Sequence, residues 1–245
     1  MGQETSRRSA LEVMAIQIAT RFVCTPDGRL LRSTDPFSDG AAVRFFLGRT
    51  IKGNLWRLGH NLPDDVVREL EALARSEPVC TDPSEFCQEP TIATAVRAVL
   101  GRPATIPGES RGPAYYLPAE VPGAPATAVL VVTTEASAPL LAAPSPHLAC
   151  GLSKVSPCVV ALREGAVVAV CYSSRQSDRA TEAGVRTLEP HRRQGYGVAV
   201  VARWAAAVRQ RGLLPLYSTS WQNVASQGLA RKIGGVLFGE DFHVR

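Results

Sequence analysis

The chain lacks the cysteine patterns that mark a disulfide framework or a metal site. Six cysteines, at positions 24, 80, 87, 150, 158 and 171, include no C-x-x-C pair and no paired histidine spacing. Free thiols in a reducing cytoplasm are therefore expected, with no metal. Cys80 and Cys87, with His60 upstream, form the one grouping that approaches a metal site, and they lack ligand spacing. No apolar run reaches the roughly 20 residues that a membrane span needs. Gly2 to Ser6 fits a myristoylation pattern, and Ser6-Arg7-Arg8 faintly resembles a twin-arginine signal. The stretch that follows carries Glu12 and Gln17 and has no A-x-A site. It is expected to be a short helix over 10–20 rather than an export signal. Neither the dinucleotide fingerprint G-x-G-x-x-G nor the nucleotide loop G-x-x-x-x-G-K-S/T is present. The charge is mildly basic, 27 Lys and Arg against 22 Asp and Glu, with a pI of about 9.1. Such a balance suits a polyanionic ligand. No basic run is interleaved with aromatics, so nucleic acid is not an expected partner.

What is present organises into alternating elements. At 45% hydrophobic residues the chain can bury a sizeable core. Pro26-Asp27-Gly28 separates two short apolar runs and predicts a hairpin. Residues 45–48 and 54–58 have strand character. Pro63-Asp64-Asp65 opens a predicted helix through Arg75, and a second helix is expected over 91–100. Residues 101–127 are dense in proline and glycine, which predicts a connector, interrupted by a strand at Tyr115 to Leu117. The expected division is an N-terminal α/β module over 1–105 with no assigned role, a connector over 106–127 and a C-terminal domain over 128–245. In that domain, 129–132 predicts a strand, and 158–162 and 167–171 predict a hairpin around Glu164-Gly165. Both hairpin strands are apolar almost throughout, as strands covered on both faces are.

The chemistry concentrates after this hairpin. A predicted strand from Glu182 to Leu188 feeds Arg192-x-x-Gly195-x-Gly197, and an apolar helix pattern follows, with Val198, Val201, Ala205 and Val208 on one stripe. A glycine loop that opens a helix converges unpaired N–H groups with the positive end of the helix dipole, an arrangement that holds phosphate. Downstream of a strand-like run over 216–221 lies Asn223-x-x-Ser226-x-x-Leu229-Ala230-x-Lys232-x-Gly234. These two patterns, in this order and spacing, resemble the R/Q-x-x-G-x-G/A loop and the second signature of the GNAT (Gcn5-related) N-acetyltransferases. The resemblance covers roughly residues 115–245.

The resemblance implies an α/β fold, a GNAT-type mixed central sheet with flanking helices, here preceded by the smaller N-terminal module. It implies acetyl-CoA as co-substrate, with no metal, and an amine acceptor that is a small molecule or a protein. The diphosphate is then expected on the loop residues Arg192, Arg193, Gln194, Gly195, Tyr196, Gly197 and Val198. The pantetheine arm would pair with the main chain of Arg186, Thr187 and Leu188. Asn223 and Ser226 would face the cofactor, although Asn223 is also a good helix N-cap. Glu182 matches the position where many members carry the glutamate that deprotonates the amine. Ala230 stands where many members have a tyrosine that protonates the departing thiolate; Tyr217 and Tyr196 are the substitutes to test against geometry. The implied activity is acetyl transfer by direct attack of an amine on the thioester, in the cytoplasm. The alternative is an acyl-CoA-binding GNAT-fold sensor or scaffold without turnover.

Overall fold

The structure is a computed structural model that describes residues 8–38, 40, 43–119 and 129–245. The Gly2 to Ser6 stretch and part of the predicted connector lie outside the described residues. In chain order, α1 (Ala10–Arg21) precedes a hairpin of β1 (Phe22–Cys24) and β2 (Leu30–Ser33). A second hairpin follows, β3 (Phe45–Thr50) and β4 (Gly53–Leu58), then α2 (Asp64–Ser76), α3 (Ala93–Gly101) and β5 (Glu109–Tyr116). The second half runs β6 (Val129–Val132), α4 (Ala138–Leu141), α5 (Pro146–Cys150), β7 (Cys158–Arg163), β8 (Ala166–Gln176) and β9 (Ala180–Thr187). It closes with α6 (Tyr196–Gln210), β10 (Leu214–Ser218), α7 (Val224–Lys232) and β11 (Val236–Val244).

Local chemistry accounts for the clearest boundaries. Ser9 and Glu12 form a capping box at the start of α1, each side chain bonding the other's backbone N–H. Asp64 and Asp65 sit in the first turn of α2, where the helix dipole favours negative charge. Asn223 caps α7 by accepting from the Ser226 N–H at 3.0 Å.

Nine strands form one mixed sheet in the order β4-β3-β11-β5-β10-β9-β8-β7-β6, while β1 and β2 pair separately. Every pairing in the large sheet is antiparallel except β9 with β10. Alternation along the strands splits the core between two faces. On one face, α6 buries Trp204, Ala205 and Val208 against Val159, Cys171 and Tyr217. Phe45, Leu47 and Phe242 on that face lie in a cluster with α2 and α3 residues such as Leu70 and Val96. On the other face, α1 packs Met14 and Ile18 with Phe46, Leu216 and Phe238. Leu141 and Leu148 of α4 and α5 pack with Val160 and Val170.

The large sheet crosses the boundary expected between an N-terminal module and a GNAT-type domain. Strand β11 pairs with β3 over 240–244 and with β5 over 236–244, so the sheet runs without a break across the expected boundary. The predicted connector contains β5 itself, which lies between β10 and β11. Segment 133–157 holds short helices that its proline-rich sequence does not announce. Strand β8 extends through Gln176, beyond the run over 167–171 that the sequence predicts.

Candidate functional site

Strands β9 and β10 pair in parallel at only three positions, Ala180 with Leu214, Thr181 with Pro215 and Glu182 with Leu216. Beyond Glu182, β9 stays paired with β8 alone, while Tyr217 and Ser218 pair with β5 alone. Residues 183–185 are consequently half-buried in the middle of a sheet, and their edge toward β10 is open. The opening leads toward the glycine loop, since Leu188 continues β9 by donating its N–H to the Val168 carbonyl at 2.9 Å.

The loop is shaped to present N–H groups. Arg193 and Gly195 both have positive φ, 61° and 86°, a left-handed geometry that turns successive amides to one side. The first backbone bond of the helix is donated by Ala199, to the Gly195 carbonyl at 3.0 Å. The N–H groups of residues 193 to 198 have no partner among the described residues. At Gly197, a Cβ would sit 3.3 Å from Thr187 Oγ1, so its absence keeps the helix start close to the end of β9.

The side chains expected in this region divide into two groups. Arg192, Arg193 and Gln194 are exposed at the loop. Arg192 donates Nε to the Thr187 carbonyl at 3.4 Å. Gln194 accepts from Arg163 Nη1 at 3.4 Å, a neighbouring cation that motif spacing does not indicate. Arg186 is exposed and donates to the Pro144 carbonyl at 3.2 Å. Tyr196 instead turns its ring into the core, edge-on to His191 at 6.1 Å, so it contributes only main chain to the loop. Val198 also packs against that core. Of the two candidate acids, Tyr196 therefore faces away. The Tyr217 hydroxyl lies 2.6 Å from Ser226 Oγ, in the first turn of α7, and burial pushes its pKa up to about 12.

Glu182 is brought to the point where β9 and β10 part, but not as a free proton acceptor. Its side chain is 2% exposed, and Oε2 accepts from Arg175 Nη1 at 3.1 Å with Arg21 Nε 3.9 Å away. Ser218 Oγ donates to Oε1. Burial pushes the carboxyl pKa up, but Arg21, Arg175 and the Ser218 bond outweigh it and hold the pKa below the ordinary carboxylate value. A carboxylate that faces two guanidinium groups and a hydroxyl thus stands at the position expected for the general base. Arg21 also bonds Asp241 Oδ2 at 2.6 Å, and Asp241 Oδ1 lies 3.2 Å from His243 Nδ1. Asp241 is likewise held below its usual range, burial being outweighed chiefly by Arg21.

These pairs set an expected acid response. A depressed folded-state pKa stabilises the fold above the unfolded value, near 4, and that stabilisation is lost as pH falls through the folded value. Replacing Glu182 by Gln is expected to lower stability at pH 7 by about 1–3 kcal/mol, because it removes the charged acceptor of Arg175 and Ser218 while Arg21 keeps Asp241. Urea midpoints should show this gap, which narrows below pH 4 as the native carboxylate protonates. Equal midpoints at pH 7 would contradict the ion pairing.

Sequence reasoning missed Ser218, although strand alternation from Leu214 and Leu216 puts it on the Glu182 face. It also missed Arg21 and Asp241, which meet across 220 positions with no local signal. Among the described residues, no three His, Cys, Asp or Glu side chains cluster in a metal-binding group. No helix there is long and apolar enough to cross a membrane.

A mixed sheet parted at a single parallel pair, beside an amide-lined loop at a helix start, defines an α/β protein. Residues 156–238 match the GNAT acetyltransferase family model, and this part of the chain is a GNAT acetyltransferase domain. No curated protein matches. Solved structures similar to the chain include a GNAT-family protein from Novosphingobium aromaticivorans, 16% identical, covering 57% of this chain and 66% of that one with a TM-score of 0.48. A GCN5-related N-acetyltransferase-like protein from Streptococcus suis is 16% identical, with 85% and 86% covered and a TM-score of 0.47. A GCN5-related N-acetyltransferase from Kribbella flavida is 22% identical, with 60% and 62% covered and a TM-score of 0.43. The chain thus spans less than two thirds of the Novosphingobium and Kribbella proteins.

Proposed function

We propose that the protein is an acetyl-CoA-dependent N-acetyltransferase in which an amine attacks the thioester directly. The observation that carries this is the parted β9–β10 pair leading into unpartnered amides at residues 193 to 198. Those amides, with the positive end of the α6 dipole, would hold the diphosphate, and Arg192 and Arg193 add charge beside it. The open edge of β9 up to Leu188 offers main-chain groups to the pantetheine amides. The thioester would then lie where Tyr217, Ser218 and the α7 turn bearing Asn223 and Ser226 meet. Nitrogen attacks the carbonyl carbon, the C–S bond breaks, the sulfur leaves as thiolate and the nitrogen loses one proton.

An alkylammonium of pKa near 10.4 is only about 0.04% neutral at pH 7, so the site must favour the neutral amine. Ser218, its hydroxyl committed to Glu182, turns its lone pairs outward and can accept an N–H of the amine. Glu182 thereby orients the contact while the proton leaves to water. A thiolate is a tolerable leaving group, so Ala230 in place of a tyrosine does not prevent the step. Fixing both reactants in one cleft supplies much of the rate.

The test is release of free thiol from acetyl-CoA over a panel of primary amines, with acetyl-CoA binding measured in parallel. Amine-dependent release supports the enzyme. Binding without release for any amine would favour a sensor of acyl-CoA, and absence of binding would overturn both.

A further inference from the structure

Two buried carboxylates of the second half share their oxygens in the same way. Glu182 takes arginines on Oε2 and gives Oε1 to Ser218. Glu240, with no measurable exposure, accepts from Arg49 Nε on Oε2 at 2.8 Å. Its Oε1 accepts from Trp221 Nε1 at 2.8 Å and Arg111 Nη1 at 2.7 Å. Each carboxylate is anchored by an arginine from the first half of the chain, and each holds a residue of the segment that follows or ends β10.

The backbone follows the same path. Thr219 and Trp221 donate to the carbonyls of Pro113 and Arg111, each at 3.3 Å, beyond the last β5–β10 strand pair. A Cβ at Gly112 would overlap the Thr219 carbonyl oxygen, so glycine is required for this approach. The Trp221 carbonyl also accepts from Gln227 Nε2 at 2.7 Å, tying the segment to α7 itself. The 219–223 segment is therefore held from β5 and β11 on one side and from α7 on the other.

We propose that Glu240 and Trp221 are positioning residues, which fix the α7 turn bearing Asn223 and Ser226 at the acyl end of the cleft. This rests on acetyl-CoA occupying the opening between β9 and β10. The diphosphate loop lies across that opening, at the other end of the same ligand. Among the described residues, no hydrogen bond or ion pair joins Glu240, Arg49, Arg111 or Trp221 to the loop. The inference therefore separates two parts of one ligand: the acyl and pantetheine end depends on Trp221, and the nucleotide end does not.

Trp221→Phe keeps a ring and removes the indole N–H that Glu240 Oε1 accepts, while Oε1 retains Arg111. Binding of acetyl-CoA and of 3′-phosphoadenosine 5′-diphosphate is measured for both proteins, with thermal unfolding alongside. The expected result is about tenfold weaker acetyl-CoA binding, the loss typical of one hydrogen bond to a charged group, with the nucleotide bound equally well. Unchanged acetyl-CoA affinity, or parallel loss of both ligands with a lower melting temperature, would overturn the positioning role. The wild type serves as the separate control: if it binds neither ligand, the acetyltransferase proposal itself fails.

Discussion

Residues 128–245 expressed alone are expected not to fold, although they contain the whole segment that matches the GNAT family model. Strand β5 lies between β10 and β11, so its removal leaves both with an open edge, and β11 loses β3 as well. The cluster over α6 loses Tyr115 and Leu117, and Phe242 and Val244 lose Phe45 and Leu47. Buried charge makes the outcome worse. Glu240 would lose Arg49 and Arg111, and Glu182 and Asp241 would lose Arg21. Breaking one buried pair by removing a partner costs about 3–5 kcal/mol, and several such losses exceed the 5–15 kcal/mol by which a domain is stable. Circular dichroism and urea titration of the fragment should show no cooperative transition. Co-expression of residues 1–127 as a separate chain is expected to restore one. A fragment that unfolds cooperatively on its own would show that the shared sheet is dispensable.

The elements legible in the sequence are those with local causes. The Pro26-Asp27-Gly28 turn, the acidic start of α2 and the apolar stripe of α6 each state their structure within a few residues. The loop and the α7 cap are legible for the same reason, since Gly195 and Asn223 answer to their immediate backbone. Strand β5 is different. Gly112 and Pro113 are residues that central strands avoid, and composition alone assigns them to a connector. The reason for the glycine lies in another part of the chain, at the Thr219 carbonyl that a Cβ would strike. Glu182 follows the same rule. Its strand and its face are legible from alternation, whereas its partners Arg21 and Arg175 are fixed by the packing of α1 and by a register shift in β8 between Ser173 and Arg175. A carboxylate's chemistry depends on those partners, so its position is legible in the sequence and its surroundings are not.

Gly195→Glu is expected to reduce acetyl-CoA affinity by more than about 100-fold while leaving the fold intact. Gly195 holds φ at 86°, where an L-residue costs roughly 1–2 kcal/mol, too little to unfold a domain of ordinary stability. The penalty for the ligand is larger. A side chain at this position fills space beside the amides of residues 193 to 198, and a carboxylate there opposes a diphosphate in the volume that the helix dipole reserves for negative charge. Gly195→Ala separates the causes, because it carries the same backbone strain without the charge or the bulk; its loss should be several-fold at most. The readout is the rise in melting temperature on adding acetyl-CoA, which reports binding to the native state. For Gly195→Glu the rise should vanish at ligand concentrations that saturate the wild type, with the ligand-free melting temperature nearly unchanged. Retention of the full ligand-induced rise by that variant would mean that the diphosphate does not lie on this loop, and the site would have to be sought elsewhere in the sheet.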